Sequence, residues 1–377
     1  MNRVYQMCSR CVMDTTDPEI TFDENGICNH CRYFDEAIMP NWHPNEDGLR
    51  QLGKIIERIK KECHKREYDC IIGLSGGADS SYMALKMYEL FKIRPLVVHV
   101  DAGWNCEVAV QNIEKLVKYC GWDLHTHVMN WEDMKQLQLA YLKSGISNQD
   151  VPQDHAFFAS LYHFAVENKI KYILSGGNIA TESIFPKSWH YTANLKAIFK
   201  RFGKGRLKEY KTISFWQYYF YYPFIKKMKV IRPLNFMPYN KKDAMKELMD
   251  KIGWKPYGLK HGESVFTRFF QNYFLVERFG YDKRKPHLSS MILSGQMTRE
   301  EALQELAKPL YDKRQLEEDK AYICKKLDLT ETEFEEMLNA PKREATDFPS
   351  HARLHNIIKS TQSFMQRVLK RRIVNYS

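Results

Sequence analysis

Residues 71–81 read Ile71-Ile72-Gly73-Leu74-Ser75-Gly76-Gly77-Ala78-Asp79-Ser80-Ser81: a β-rich run, a glycine-rich loop and a helix beginning near Asp79. That order makes an anion cradle. Glycines let the backbone approach a phosphate, the N–H groups of the first helical turn point at it, and the positive end of the helix dipole favours its charge. Ser75, Ser80 and Ser81 add hydroxyl donors. The loop is not of the Walker A kind, because the Gly-Lys-Ser/Thr ending is missing and no lysine stands ready to reach a terminal phosphate. Two later strand ends carry related chemistry. Val97-Val98-His99-Val100-Asp101-Ala102-Gly103 closes on an acid and a glycine, and Ile173-Leu174-Ser175-Gly176-Gly177-Asn178, followed by Glu182, offers another glycine turn. An N-cap at Asp101 and a plain turn at 176–178 are the structural alternatives.

A second constellation lies at the N-terminus. Cys8 and Cys11 form one C-x-x-C pair, Cys28 and Cys31 another, with sixteen residues between the pairs and Gly26 permitting a tight turn before the second. Paired thiols at this spacing fit a four-cysteine zinc site, in which four thiolates leave the metal no open position. Such a Zn2+ would be structural. A redox pair is disfavoured because the pairs come doubled and outside any βαβ unit, while an iron–sulfur cluster also accepts four thiolates.

The elements that must position these residues follow from periodicity. Leu49, Leu52, Ile55, Ile56 and Ile59 recur at helical spacing across 46–67. From Asp69 the text alternates short β-rich runs (69–74, 94–100, 123–128, 171–174) with amphipathic stretches (to Leu90, 107–119, 131–143, 154–168). This predicts an α/β fold, a doubly wound, mostly parallel sheet with ligands at the carboxyl ends of its strands. Residues 185–235 break the rhythm with aromatic and basic text. The run Trp216 to Phe224 is expected to pack in the core, with a docking surface as the alternative. The remainder is helical, with capping boxes expected at Thr298/Glu301 and Thr330/Glu333 and a basic amphipathic helix at 351–372. The domains are therefore expected as a zinc-binding arm (1–45), a nucleotide-binding α/β domain (46–255) with an insertion at 185–235, and a helical region with substrate-binding residues and tail (256–377).

The chain has 377 residues, 44% of them hydrophobic, enough for a sizeable core, and a formal charge of +11 that favours anionic ligands without choosing among them. No stretch approaches the roughly 20 apolar residues that span a bilayer, and the first residues lack a signal-peptide run. A cytoplasmic protein with no membrane partner is expected.

Ser75-Gly76-Gly77-Ala78-Asp79-Ser80 resembles the SGGxDS signature of the PP-loop ATP pyrophosphatases. The resemblance implies a pyrophosphate site on the loop, attack of a substrate oxygen on the α-phosphorus of ATP, and a role for Asp79 with Ser75 and Ser80 in arranging Mg2+ and pyrophosphate. It also implies adenosine contacts near Asp101 and a second substrate and metal loop at Gly176, Gly177, Asn178 and Glu182. Val230-Ile231-Arg232-Pro233-Leu234, followed by Lys241-Lys242-Asp243, is similar to the late strand and helix of these enzymes.

Further segments extend the likeness to about residue 310. Cys8-Ser9-Arg10-Cys11-Val12-Met13-Asp14, His99 to Asn105, Lys260-His261-Gly262-Glu263-Ser264 and Asp282-Lys283-Arg284-Lys285-Pro286-His287-Leu288-Ser289-Ser290 together resemble the N-acetyl sugar amidotransferase family. That family converts an acetamido group of a nucleotide-linked sugar into an acetamidino group, with ammonia as nucleophile, in bacterial surface-polysaccharide pathways. Lys260, His261, Arg268, Lys283, Arg284 and His287 then become candidates for holding the sugar's diphosphate or carboxylate. No cysteine nucleophile of a glutaminase stands at residue 2 or in an elbow around the later cysteines. Ammonia is therefore expected from separate glutaminase and synthase-like subunits. A PP-loop tRNA thiolase is the alternative, and a nucleic-acid partner is not otherwise expected; only isolated cysteines follow residue 31, of which Cys106 lies nearest a strand end.

Overall fold

The structure, a computed structural model, describes residues 4–190, 193–258 and 262–349. Lys260, His261 and the basic segment 351–372 lie outside the described residues. Five parallel strands form one sheet in the order β3-β2-β1-β4-β5: β1 Cys70–Gly73, β2 Pro95–Asp101, β3 Leu124–Val128, β4 Tyr172–Leu174 and β5 Lys229–Ile231. Sequence order runs outward from β1 to β3 on one side and from β4 to β5 on the other. The chain therefore reverses its winding between β1 and β4, and the crevice outside their carboxyl ends is where such sheets bind ligands.

Each face of the sheet carries its own core. On one, Ile72, Leu74 and Val97 pack against Ile56 and Ile59 of the Glu46–Cys63 helix, Met83 and Leu85 of the Ala78–Phe91 helix, and Leu248 of the Lys241–Ile252 helix. On the other, Ile71, Val98 and Ile173 meet Met134 and Leu137 of the Trp131–Ser144 helix and Ala156 of the Val151–Glu167 helix. β1 is therefore buried on both sides, as a central parallel strand must be. Predicted and observed elements agree along this stretch, and both capping boxes form as expected.

The aromatic run departs from expectation. Residues Gln217–Ile225 wind as a π-helix in which Tyr222 is buried, while Trp216, Phe220, Tyr221, Phe224 and Ile225 are exposed. Only one face of the run is core.

The cysteine arm is clasped from outside itself. Its small core of Met13, Ile20 and the four cysteines is completed by Ile184 and Trp189. Arg299 donates to the carbonyls of Cys8 and Cys11, each at 3.1 Å, Ser289 accepts from the Val12 N–H at 3.2 Å, and Lys285 pairs with buried Asp14. Burial alone would raise the Asp14 pKa, but Lys285 and Thr16 outweigh it and hold the carboxyl below its ordinary value.

Candidate active site at the carboxyl ends of β1 and β4

The loop after β1 is shaped by its glycines. Gly76 has φ +81°, and a Cβ there would lie 2.4 Å from the Ala109 carbonyl oxygen, so only glycine fits. Trp254 Nε1 donates to the Gly76 carbonyl at 3.1 Å, and the Gly77 N–H donates to Ser75 Oγ at 3.2 Å. Gly77 then takes the N-cap position of the Ala78–Phe91 helix, and no side chain among the described residues caps it, so the first-turn N–H groups are available to an anion. The hydroxyls of Ser75 and Ser80 stand 3.3 Å apart across the loop, whereas Ser81 is buried in the helix.

The loop after β4 presses against this turn. A Cβ on Gly176 would come within 2.6 Å of Ser80 Cα. Beyond it, Asn178 is a buried N-cap, its Oδ1 accepting from Thr181 N at 2.9 Å, and the Asn178 N–H donates to Glu182 Oε2 at 3.4 Å. A Cβ on Gly177 would lie 3.7 Å from Arg232 Nε, so the end of β5 delivers a cation to the same crevice. The structure thus brings Ser75, Gly76, Gly77, Asp79, Ser80, Gly176, Gly177, Asn178 and Glu182 together. We expect Gly176→Ala to drive a methyl into the Ser80 backbone, costing about 1–3 kcal/mol, and to lower the melting temperature and nucleotide affinity together. Unchanged values for both would show that the two loops do not pack.

Asp79 and its surroundings carry the electrostatics. Tyr239 donates its hydroxyl to Asp79 Oδ1. Burial first, then the charge of Asp79 and more weakly that of Glu182, push the Tyr239 pKa far up, so the phenol stays a donor. Tyr257 is raised in the same way by burial, then by Glu263 and Asp79. Sequence reading passed over Tyr239, Tyr257 and Glu263 as site residues; the tyrosines lie more than 150 residues from the loop and have no local signal, while Glu263 stood inside a recognised segment.

Asp101 stands at the end of β2, where its Oδ1 accepts from Gly103 N at 2.7 Å and Asn105 Nδ2 at 3.1 Å. It organises a turn. His99 joins this turn to β1, Nδ1 donating to the Leu74 carbonyl at 3.0 Å and Nε2 accepting from Asn105 at 3.1 Å, a tautomer assigned from the network. The same turn receives the C-terminal region: Asn105 bridges Ser264, the Cys106 N–H donates to the Glu263 carbonyl at 2.8 Å, and Val265 N donates to the Trp104 carbonyl at 2.9 Å.

The basic candidates divide. Arg268 forms a two-pronged pair with nearly buried Asp319, both contacts at 2.7 Å. Arg284 is spent on Asp282 and on the carbonyls of Glu305, Leu306 and Lys308. Each guanidinium thus already has partners within the C-terminal region, which an anion would have to share or displace. Lys283 donates to His190, whose pKa burial and the lysine charge push down to about 3. His287 contacts the Thr181 carbonyl at 2.9 Å, one turn beyond the second glycine loop.

At the N-terminus, the Sγ atoms of Cys8, Cys11, Cys28 and Cys31 all lie within 4.8 Å of one another and are fully buried. Three of the separations are 3.9, 3.7 and 3.6 Å. Four thiolates at about 2.3 Å from one tetrahedral ion would stand about 3.8 Å apart, so the cluster fits a single metal. In a four-iron cluster each thiolate binds a different iron, which spreads the sulfurs further.

The uncharacterized protein MJ1599 of Methanocaldococcus jannaschii is 23% identical over 324 residues, covering 82% of this chain and 96% of that protein. Among solved structures, the NH3-dependent NAD synthetase of Campylobacter jejuni aligns at TM-score 0.31 and 14% identity, over 74% of this chain and 94% of that one. The U34-tRNA thiolase NcsA of Methanococcus maripaludis with its 4Fe-4S cluster aligns at TM-score 0.32 and 14% identity, over 78% and 88%. Overlap that low carries no argument about reaction or metal. Residues 263–362, which begin at the turn whose Ser264 bridges Asn105 after β2, match the family model of the LPS biosynthesis protein WbpG-like C-terminal domain, and the family to which this stretch is similar is thus one of lipopolysaccharide biosynthesis.

Proposed function

We propose that the protein is an ATP-dependent, AMP-forming amidotransferase that converts an N-acetyl group of a nucleotide sugar into an acetamidino group for lipopolysaccharide or related glycan synthesis. The observation that carries the reading is the junction at Glu263–Val265: the stretch matching the WbpG-like domain is stitched to the turn after β2, and Glu263 Oε1 would lie 3.7 Å from a Cβ on Gly77 of the Ser75–Ser80 loop. A sugar held by the C-terminal region would meet ATP held by the loops.

On this reading the amide oxygen attacks the α-phosphorus of ATP and pyrophosphate leaves, held by the N–H groups of residues 78–80 and the hydroxyls of Ser75 and Ser80. Ammonia then adds to the amide carbon and AMP departs with the former amide oxygen, an otherwise poor leaving group. Asp79 and Glu182 would hold Mg2+, which would supply charge to offset the phosphates. Arg232 faces the same anions, and Tyr239 orients the Asp79 carboxylate.

Ammonia would come from separate glutaminase and synthase-like subunits. Free ammonium should replace them, activity should rise with pH toward the amine's pKa as the free base grows, and glutamine alone should fail. With oxygen-labelled acetamido substrate the label should appear in AMP. The tRNA thiolase reading is kept alive by Cys106, half-buried at the start of the Glu107–Cys120 helix beside Glu263. Sulfur entering bulk tRNA, with no ammonium-dependent AMP from nucleotide sugars, would replace the amidotransferase reading.

A further inference from the structure

We propose that the π-helix Gln217–Ile225 and the lysines after it are a docking site for an anionic membrane surface. Trp216, Phe224 and Ile225 are 65%, 68% and 69% exposed, and Phe220 is 40% exposed. They form a continuous ridge: the Trp216 and Phe220 rings lie 4.8 Å apart and those of Phe220 and Phe224 6.4 Å apart. A shallow apolar groove of about 440 Å³ runs along it. The opposite side of the helix is anchored, with Tyr222 buried and its ring 4.8 Å from that of Tyr162. The ridge is therefore held rigidly outward. Single exposed apolar residues need no explanation, but four large ones on one held face do.

Charge identifies the occupant. Residues 185–235 carry twelve Lys and Arg against one acid, Glu209, so this segment alone accounts for a positive excess equal to the +11 of the whole chain. Lys226, Lys227 and Lys229 follow the ridge directly and are exposed, with Lys226 Nζ 5.4 Å from the Tyr221 ring. Lysine is depleted in protein interfaces, whereas aromatic side chains bordered by lysines are the composition of segments lying in an anionic bilayer interface. A second copy would set like charge against like. The chain's own residues 350–377 are unsuited for the same reason, having six Lys and Arg and no acid.

Position agrees. The ridge leads into the amino end of β5, whereas the two glycine loops leave the carboxyl ends of β1 and β4, so the ridge residues are none of those that form the crevice. No helix among the described residues is long and apolar enough to cross a membrane, so the contact would be peripheral.

The test is co-sedimentation of the full chain with vesicles of phosphatidylcholine and phosphatidylglycerol in equal amounts, against phosphatidylcholine alone. Binding is expected only to the mixed vesicles and should weaken with salt. At about five-fold per lysine, Lys226→Gln with Lys227→Gln should lower partitioning about twenty-five-fold. Trp216→Ala with Phe224→Ala should lower it at least about ten-fold. Both pairs lie on the surface, and an unchanged melting curve verifies the fold. Failure of the parent to bind mixed vesicles overturns the proposal, as does undiminished binding by both variants. Capture by soluble polyglutamate that is lost in the aromatic variant would assign the ridge to an acidic protein and overturn it equally.

Discussion

Asp79→Ala should reduce substrate-dependent AMP and pyrophosphate formation by about a thousandfold, the size of loss seen when one group complementary to developing charge is removed from a water-poor site. The carboxylate stands in the first turn of the Ala78–Phe91 helix, accepts from Tyr239 and shares its neighbourhood with Glu182 and Tyr257. Alanine also leaves the buried Tyr239 hydroxyl without its acceptor, a stability cost of about 1–3 kcal/mol that a melting curve reads separately. Asp79→Asn separates the effects. Asparagine can still accept from Tyr239 but carries no charge, so folding should recover while turnover stays low. Tyr239→Phe should do the reverse in kind, leaving the charge and loosening its aim, with a smaller loss of turnover. Full activity in Asp79→Ala, or release of ADP in place of AMP, would remove the pyrophosphatase assignment.

How far this site could be read in the sequence depended on whether each signal was local. Strand, glycine loop and helix are written within residues 70–91, and the physical demands on such a turn are met by Gly76 with its positive φ and by Gly77 at the N-cap. The cysteine pairs were local in the same sense. By contrast, the tyrosine that holds Asp79 comes from 160 residues away, and only the sheet's reversal between β1 and β4 brings Gly176 onto Ser80.

Charge was the least legible feature. That Arg268 pairs with Asp319 is not written near it in the sequence, and although Asp282 stands two residues before Arg284, the carbonyls that Arg284 also binds belong to a helix end some twenty residues on. An arginine's role is set by whether its donors are already satisfied. The aromatic run failed for a different reason. With Trp, Tyr and Phe at nearly every position from 215 to 224 there is no polar face to mark solvent, so periodicity could not separate buried Tyr222 from exposed Phe224.

Changing Cys8 and Cys11 together to serine should abolish a bound metal and release the arm. The parent should carry about one zinc per chain, because four buried thiols at the separations of a single tetrahedral shell have no other inexpensive way to share so small a space. Zinc ligation of this type is worth about 10–16 kcal/mol in isolated zinc-finger peptides, and the arm's own core is a few side chains completed by Ile184 and Trp189. Most of its order should therefore depend on the metal. Loss should not stay local: Arg299, Ser289 and Lys285, which clasp Cys8, Cys11, Val12 and Asp14, belong to the stretch that matches the WbpG-like domain. Freed of those partners, Arg299 and Lys285 would gain solvent while the stretch loses its neighbour. The double variant should accordingly be cut by protease both in the arm and near residues 284–299, and its melting transition should fall. Metal analysis distinguishes the ion, since iron would bring sulfide and visible absorbance that zinc lacks. A metal-free parent as protease-resistant as the metal-loaded protein would show that packing alone holds the arm.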